Sequence, residues 1–165
     1  MNLLKLLTPI LFMFLIGACS NANNELEQKL RETIINKSNL AIQKRTNYSK
    51  LSLSEMTGFK WDKFYVFEEY VSKKNIAEIT GINWEGDDVP SGRRRLLFIY
   101  KNKIIDYVDF SPETFPVFFF TCGGTTQFEF GKKDDLFAVL KECDKNGCIY
   151  AMVPDRCIKT WMKNR

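Results

Sequence analysis

The sequence predicts a single α+β domain in which helices cover an antiparallel sheet. Helical patterns and runs of β-branched and aromatic residues follow one another in the order helix, strand, helix, strands, helix, strand and tail. The composition is 45% hydrophobic and 14% aromatic, which is typical of a folded core and not of a disordered stalk. Four cysteines in the C-terminal part favour disulfides. We therefore expect one small, disulfide-containing domain.

The first predicted element is an amphipathic helix that starts near Asn24. Glu27 follows Asn24 by three residues, a pattern similar to a capping box. Apolar side chains then recur at every fourth position, at Leu26, Leu30 and Ile34. We expect this helix to continue into the thirties, with Gln43 as its furthest end.

The next part of the chain predicts a loop, a strand, a short helix and a second loop. The polar residues 44–54 indicate a loop with a short extended piece, and the aromatic residues 61–67 favour a strand. Ser72 can cap a short helix that ends at Gly81, because glycine accommodates a left-handed backbone. Residues 83–92 contain glycines, aspartates and a proline, which is typical of an exposed loop.

Four further strands are predicted between residues 96 and 130. Residues 96–100 and 104–110 are apolar and β-branched, and the three polar residues between them suggest a hairpin turn. Residues 117–121 are typical of a buried strand. The alternation at residues 128–130 indicates an outer strand.

The C-terminal part predicts a helix, a strand and a helical tail. Residues 134–141 place three apolar side chains on one helical face, and we expect a helix there. Residues 149–153 favour a final strand that ends at Pro154. Apolar residues at helical spacing then follow in a basic tail, at Ile158, Trp161 and Met162.

The N-terminus has the layout of a secretory signal peptide. Lys5 precedes an uncharged run, residues 6–18, that contains Pro9 and is shorter than the roughly 20 apolar residues of a membrane-spanning helix. The run ends in a sequence that resembles the lipobox of bacterial lipoproteins, Ile16-Gly17-Ala18-Cys19. The alternative is an ordinary signal peptide with a chance cysteine after its cleavage site.

The lipobox resemblance implies a signal peptide at residues 1–18, cleavage after Ala18, and lipidation of Cys19. Residues 19–24 then form the lipidated cysteine and tether, and residues 25–165 form the domain. Two or three acyl chains, at about 0.8 kcal/mol per buried methylene, hold a protein on a membrane permanently. Ser20 stands where inner-membrane retention signals have aspartate, so in a Gram-negative host we expect the outer membrane, facing the periplasm.

Composition excludes several classes of function. The chain has no histidine, which removes Ser-His-Asp and Cys-His catalysis and histidine-ligated zinc. Removal of residues 1–18 takes away one lysine, so the formal net charge falls from +4 to +3, too mild a charge for a nucleic-acid partner. We expect no catalytic residue, no metal and no cofactor.

The cysteines beyond Cys19 predict two disulfides. In an exported protein an even set of four pairs in one of three ways. The preferred pairing joins Cys143 to Cys148 across the turn at residues 144–147, and leaves Cys122 to pair with Cys157. The alternative is a zinc site made by all four thiolates, but the spacings lack paired C-x2-C motifs.

An aromatic segment beginning at Trp61-Asp62-Lys63 resembles one found in a family of uncharacterised bacterial lipoproteins and secreted proteins. The resemblance covers residues 58–110 and implies no particular activity. Packing of Trp61, Tyr65 and Phe67 in the core, with Asp62 and Lys63 at a strand edge, is favoured over a binding role for these side chains.

Three adjacent arginines, Arg93, Arg94 and Arg95, follow the predicted loop. Because three guanidinium groups resist burial together, we expect either a surface that binds anionic lipid headgroups or an acidic partner, or a solvated loop edge.

The sequence leaves three hypotheses for function. The first is a non-enzymatic protein-binding module of the cell envelope, of inhibitor or immunity type, attached to the membrane by its lipid. The second is a lipid-tethered protein for small-ligand binding or envelope maintenance that uses the aromatic-rich sheet as an apolar pocket. A hydrolase that relies on carboxylates alone ranks last, because no acid and base are placed together in the sequence.

Overall fold

A computed structural model describes residues 21–122, 129–145 and 147–163. The α+β class is confirmed: the described parts contain helices and two mainly antiparallel sheets. The predicted signal peptide, Cys19, and Phe128 of the predicted outer strand lie outside the described residues.

The strands form two four-stranded sheets where the sequence predicted one. The first sheet has the order β4-β3-β2-β6 and is antiparallel throughout. Its strands are β2 (Lys63–Phe67), β3 (Arg94–Tyr100), β4 (Lys103–Phe110) and β6 (Glu129–Gly131). The second sheet has the order β1-β7-β8-β5, and only its β5–β8 pair is parallel. Its strands are β1 (Ser49–Ser52), β5 (Val117–Phe119), β7 (Leu136–Asp144) and β8 (Gly147–Pro154).

The first helix, α1 (Asn21–Gln43), ends where the sequence predicted but begins earlier. The prediction that Asn24 caps it is wrong, because Asn24 already lies inside the helix. Glu27 instead meets two guanidinium groups, those of Arg31 at 3.4 Å and Arg93 at 3.7 Å. Residues 21–24, predicted as part of the tether, therefore lie in α1.

A second helix, α2 (Leu53–Thr57), occupies the end of the predicted loop. The hydroxyl of Ser52 accepts a hydrogen bond from the Glu55 amide, and Gly58 ends the helix with a φ of 77°. Five residues are too few to show a helical period, which is why the sequence pattern missed them. The third helix, α3 (Lys73–Thr80), confirms the predicted Ser72 cap and the Gly81 stop.

The predicted helix at residues 134–141 is wrong, because this segment forms β7. Phe137 and Val139 lie in the core between the sheets, whereas Ala138 and Leu140 lie in a cluster on the opposite face of their sheet. A strand buried on both faces has no polar alternation. Its consecutive apolar residues were therefore mistaken for one face of a helix.

The remaining elements agree with the sequence. The β3–β4 hairpin turns at Lys101 and Asn102, whose φ values of 48° and 59° belong to the turn type that suits a two-residue hairpin. β8 begins before the predicted strand and includes Pro154. The tail forms α4 (Ile158–Lys163), as its apolar spacing indicated.

Phenylalanine rings fill the space between the two sheets. The ring of Phe64 on β2 is stacked on Phe130 at 4.9 Å and also meets Phe119 at 5.7 Å and Phe137 at 6.1 Å. Because the last two belong to the other sheet, these contacts join the sheets directly. α1 packs against strands of both sheets, with its predicted apolar stripe in the same core, at Leu26, Leu30 and Ile34.

Each sheet also has an apolar cluster on its outer face. On the first sheet, Ile76 of α3 and Val89 of the loop that follows it pack against β2 and β3. On the second sheet, Ile158 and Trp161 of α4 pack against β7 and β8. The layers are therefore α3, first sheet, central core, second sheet and α4.

Arg95 holds the loop that follows α3 against the first sheet. Its side chain is only 2% exposed, so the expectation that the three arginines resist burial is wrong for this residue. Two of its nitrogens donate to the two carboxylate oxygens of Asp109, each at 2.7 Å, and a third donates to the Asp87 carbonyl at 2.7 Å. The guanidinium also lies 5.3 Å from the ring of Trp84 and 4.6 Å from that of Tyr107. These partners compensate the buried charge.

We predict that Asp109→Asn lowers the free energy of unfolding by about 3–5 kcal/mol, because it leaves the Arg95 charge buried without its carboxylate. Chemical denaturation at neutral pH measures this. The matched control is Glu68→Gln, which removes the carboxylate 2.7 Å from Arg94 at a half-exposed position and is expected to cost at most about 1 kcal/mol. Equal costs for the two variants would contradict the structural role of Arg95.

Candidate functional site

The end of the β7–β8 hairpin extends beyond both neighbouring strands. β1 pairs with β7 only up to Val139, and β5 pairs with β8 only from Tyr150 onward. Residues 141–145 and 147–149, here called the arm, therefore form a two-stranded ribbon. A ribbon of this kind is marginally stable by itself.

A disulfide between Cys143 and Cys148 crosses the arm. These two residues face one another in the strand register, with their Cα atoms 3.9 Å apart. The second disulfide joins Cys122 to Cys157, which lies in the outer apolar cluster of the second sheet. Both predicted pairs are confirmed. The first disulfide restrains the arm, whereas the second fixes the C-terminal segment to the domain.

A groove of about 560 Å³ lies between the arm and the turn before β5. Three carboxylates line it, and no lysine or arginine is among the described lining residues. These residues are Glu113, Pro116, Glu142, Cys143, Asp144, Gly147, Cys148 and Ile149. In a chain of net charge +4, a groove lined by three carboxylates can complement a positively charged side chain. The sequence did not single out Glu113 or Glu142, because only the fold brings them together.

A second cavity, of about 550 Å³, opens beside Trp61. Its walls come from α2, the segment after α2, the end of β3 and the turn before β7. The lining residues are Ser54, Glu55, Gly58, Phe59, Lys60, Trp61, Asp62, Tyr100 and Lys132. The residue Trp61 is 1% exposed, so its predicted burial is confirmed. Its Nε1 is nevertheless buried without an acceptor. The Lys132 Nζ lies 4.4 Å from the centre of the Trp61 ring.

Asp135 fixes α2 at one side of this cavity. Its carboxylate accepts hydrogen bonds from the backbone amide and the hydroxyl of Ser54, each at 2.7 Å, and from the Ser52 hydroxyl at 3.1 Å. Burial by itself raises the pKa of Asp135, but these hydrogen bonds and the nearby Lys132 lower it, so the net pKa lies below the ordinary value. No sequence pattern pointed to Asp135.

The three adjacent arginines do not form one surface. The side chain of Arg93 is 43% exposed and lies 3.7 Å from Glu27. The Arg94 guanidinium is mostly covered, between Glu68 at 2.7 Å and the ring of Phe118 at 4.4 Å. Because Arg95 is buried and Arg94 is mostly covered, only Arg93, which is 43% exposed, is open to a lipid headgroup or an acidic partner.

Comparison with known proteins adds no relative: no family model, no curated protein and no solved structure matches this chain. Within the described ranges, no helix is long and apolar enough to cross a membrane. The same ranges contain no cluster of three or more histidine, cysteine, aspartate or glutamate side chains able to hold a metal ion. The candidate sites are therefore defined by their geometry, as the arm with its groove and the cavity beside Trp61.

Proposed function

We propose that this protein is a lipid-anchored lipoprotein of the cell envelope whose domain binds another protein through the arm and its acidic groove. It acts without catalysis, as an inhibitor or immunity protein does. Its signal peptide is removed after Ala18 and Cys19 carries the lipid. In a Gram-negative host it resides at the outer membrane and faces the periplasm.

The observation that carries this proposal is the Cys143–Cys148 disulfide. It crosses the one part of the β7–β8 hairpin that pairs with neither β1 nor β5. A cross-link at this place contributes little to the packing between the sheets, but it reduces the number of conformations the arm must lose on binding. A preorganised projecting ribbon with a groove beside it is well suited to dock a partner protein.

The charge of the groove indicates the chemistry of that partner. Glu113 lies on the turn before β5, Glu142 and Asp144 lie on the arm, and Ile149 supplies an apolar contact. A basic side chain on the partner, flanked by apolar surface, complements this arrangement. Electrostatic attraction of this kind increases association rates and selects among partners.

The aromatic composition supports protein binding over the alternative of a small ligand held between the sheets. The rings of Phe64, Phe130 and Phe137 pack against one another at 4.9 to 6.1 Å. They occupy the space that an apolar pocket on the sheet requires. The aromatic residues predicted to form such a pocket thus serve as the core.

The position of α1 supports a domain held close to the membrane. Asn21, the first residue of α1, follows Cys19 by two residues. Two extended residues span about 7 Å, so a lipid on Cys19 keeps the start of α1 at the bilayer surface.

We predict that Cys19→Ser abolishes incorporation of radiolabelled palmitate, because no other residue is proposed to carry the lipid. The control Ser20→Ala keeps the cysteine and is expected to remain labelled. Undiminished labelling of Cys19→Ser would contradict the proposed anchor.

A second prediction concerns the arm. A photo-crosslinking residue in place of Ile149, in the full-length protein in living cells, is expected to give one discrete adduct with a partner. Glu142→Lys should reduce the yield of this adduct about tenfold, because it reverses a charge that lines the groove. The control Glu78→Lys makes the same change on the exposed face of α3 and should leave the yield unaltered.

Two results would contradict the role of the arm. One is the absence of any adduct at position 149 in cells that contain the anchored protein. The other is an adduct whose yield falls equally with Glu142→Lys and Glu78→Lys, since that indicates attraction to the whole molecule and not to the groove.

A further inference from the structure

We propose that the cavity beside Trp61 binds a small organic carboxylate with an aromatic or aliphatic body. This site is separate from the arm and does not depend on the proposed protein partner. The inference rests on the unpaired indole nitrogen of Trp61, the ammonium group above its ring, and the apolar walls around them.

The Trp61 indole nitrogen is a hydrogen-bond donor without a partner. Its Nε1 is fully buried, and no protein acceptor lies within hydrogen-bond distance. An indole N–H can only donate, and leaving a buried donor unsatisfied destabilises a protein by about 1–3 kcal/mol. A ligand that supplies an oxygen acceptor removes this cost.

Lys132 supplies a positive charge at the same place. Its Nζ lies 4.4 Å from the centre of the Trp61 ring and 3.7 Å from a carboxylate oxygen of Asp135. The Lys132 side chain is 53% exposed, so it has room to move. Because Nε1 is covered in this structure, the proposal requires Lys132 to leave the ring and pair with the ligand carboxylate, which then accepts a hydrogen bond from the uncovered indole N–H.

The cavity walls indicate the rest of the ligand. Phe59 and Tyr100 provide aromatic surface. A volume of about 550 Å³ falls within the range of small-molecule sites. The ligand body that fits these walls is a phenyl ring or a short aliphatic chain.

The position of Lys132 favours an anionic ligand over an amine. Glu55 and Asp62 also line it, but the Asp62 carboxylate already accepts a hydrogen bond from the Lys101 amide at 2.6 Å. The face of the Trp61 ring, where a ligand cation binds best, is already covered by Lys132. A carboxylate at the indole N–H gains this ammonium as a partner, whereas an amine is repelled by it.

Nuclear magnetic resonance of the mature protein with ¹⁵N-labelled tryptophan tests the site. The chain has three tryptophans, and the Trp84→Phe and Trp161→Phe variants identify the Trp61 indole signal. We expect 4-phenylbutyrate to move the Trp61 signal downfield in a saturable manner. The matched amine, 4-phenylbutylamine, should not do so.

Variants of two neighbouring lysines make the test specific. Lys132→Gln should weaken the binding of 4-phenylbutyrate about tenfold, because it removes the charged partner of the carboxylate. The control Lys133→Gln changes an exposed residue that does not line the cavity and should leave the affinity unchanged. Unaltered signals from Trp84 and Trp161 show that each variant is folded.

Three results would overturn the proposal. The first is no saturable shift of the Trp61 signal with 4-phenylbutyrate up to its solubility limit. The second is an equal response to the amine. The third is equal affinity of Lys132→Gln and the unmodified protein.

Discussion

The domain depends on the contact of Phe64 with aromatic rings from both sheets. Phe64 is fully buried, is stacked on Phe130 within its own sheet, and meets Phe119 and Phe137 across the core. Each phenylalanine buries a large apolar area, and edge and stacked ring contacts add to that stabilisation. The two sheets, which share no strand, are held face to face by this layer and by α1 along their sides.

Other interactions attach the outer layers to this core. Arg95, paired with Asp109, fixes the loop after α3 to the first sheet through the Asp87 carbonyl, and the Cys122–Cys157 disulfide fixes the segment before α4 to the second. The arm is different, because it extends past the strands that flank it and has its own cross-link. A surface that carries little of the folding energy can be shaped for binding, which is why we place the proposed partner there.

Local chemistry made much of the fold predictable. Ser72 and Gly81 bounded a helix, and the turn at Lys101 and Asn102 joined two strands as expected. The segment now assigned to β7 was mistaken for a helix, because burial on both faces erased its alternation. The disulfide pairs followed from spacing, whereas the burial of Arg95 and the cavity beside Trp61 depend on contacts between distant segments. A sequence pattern carries local preference but not such long-range proximity.

Native-state hydrogen exchange of Phe64→Leu tests most directly whether the core and the arm are independent. The loss of ring contacts should accelerate exchange in β2, β3 and the paired part of β7 by a common factor of about ten or more, because these strands open together. Amides of the arm, residues 141–145 and 147–149, should exchange at an unchanged rate. Arm amides that accelerate in step with both sheets, or a response confined to one sheet, would contradict this account.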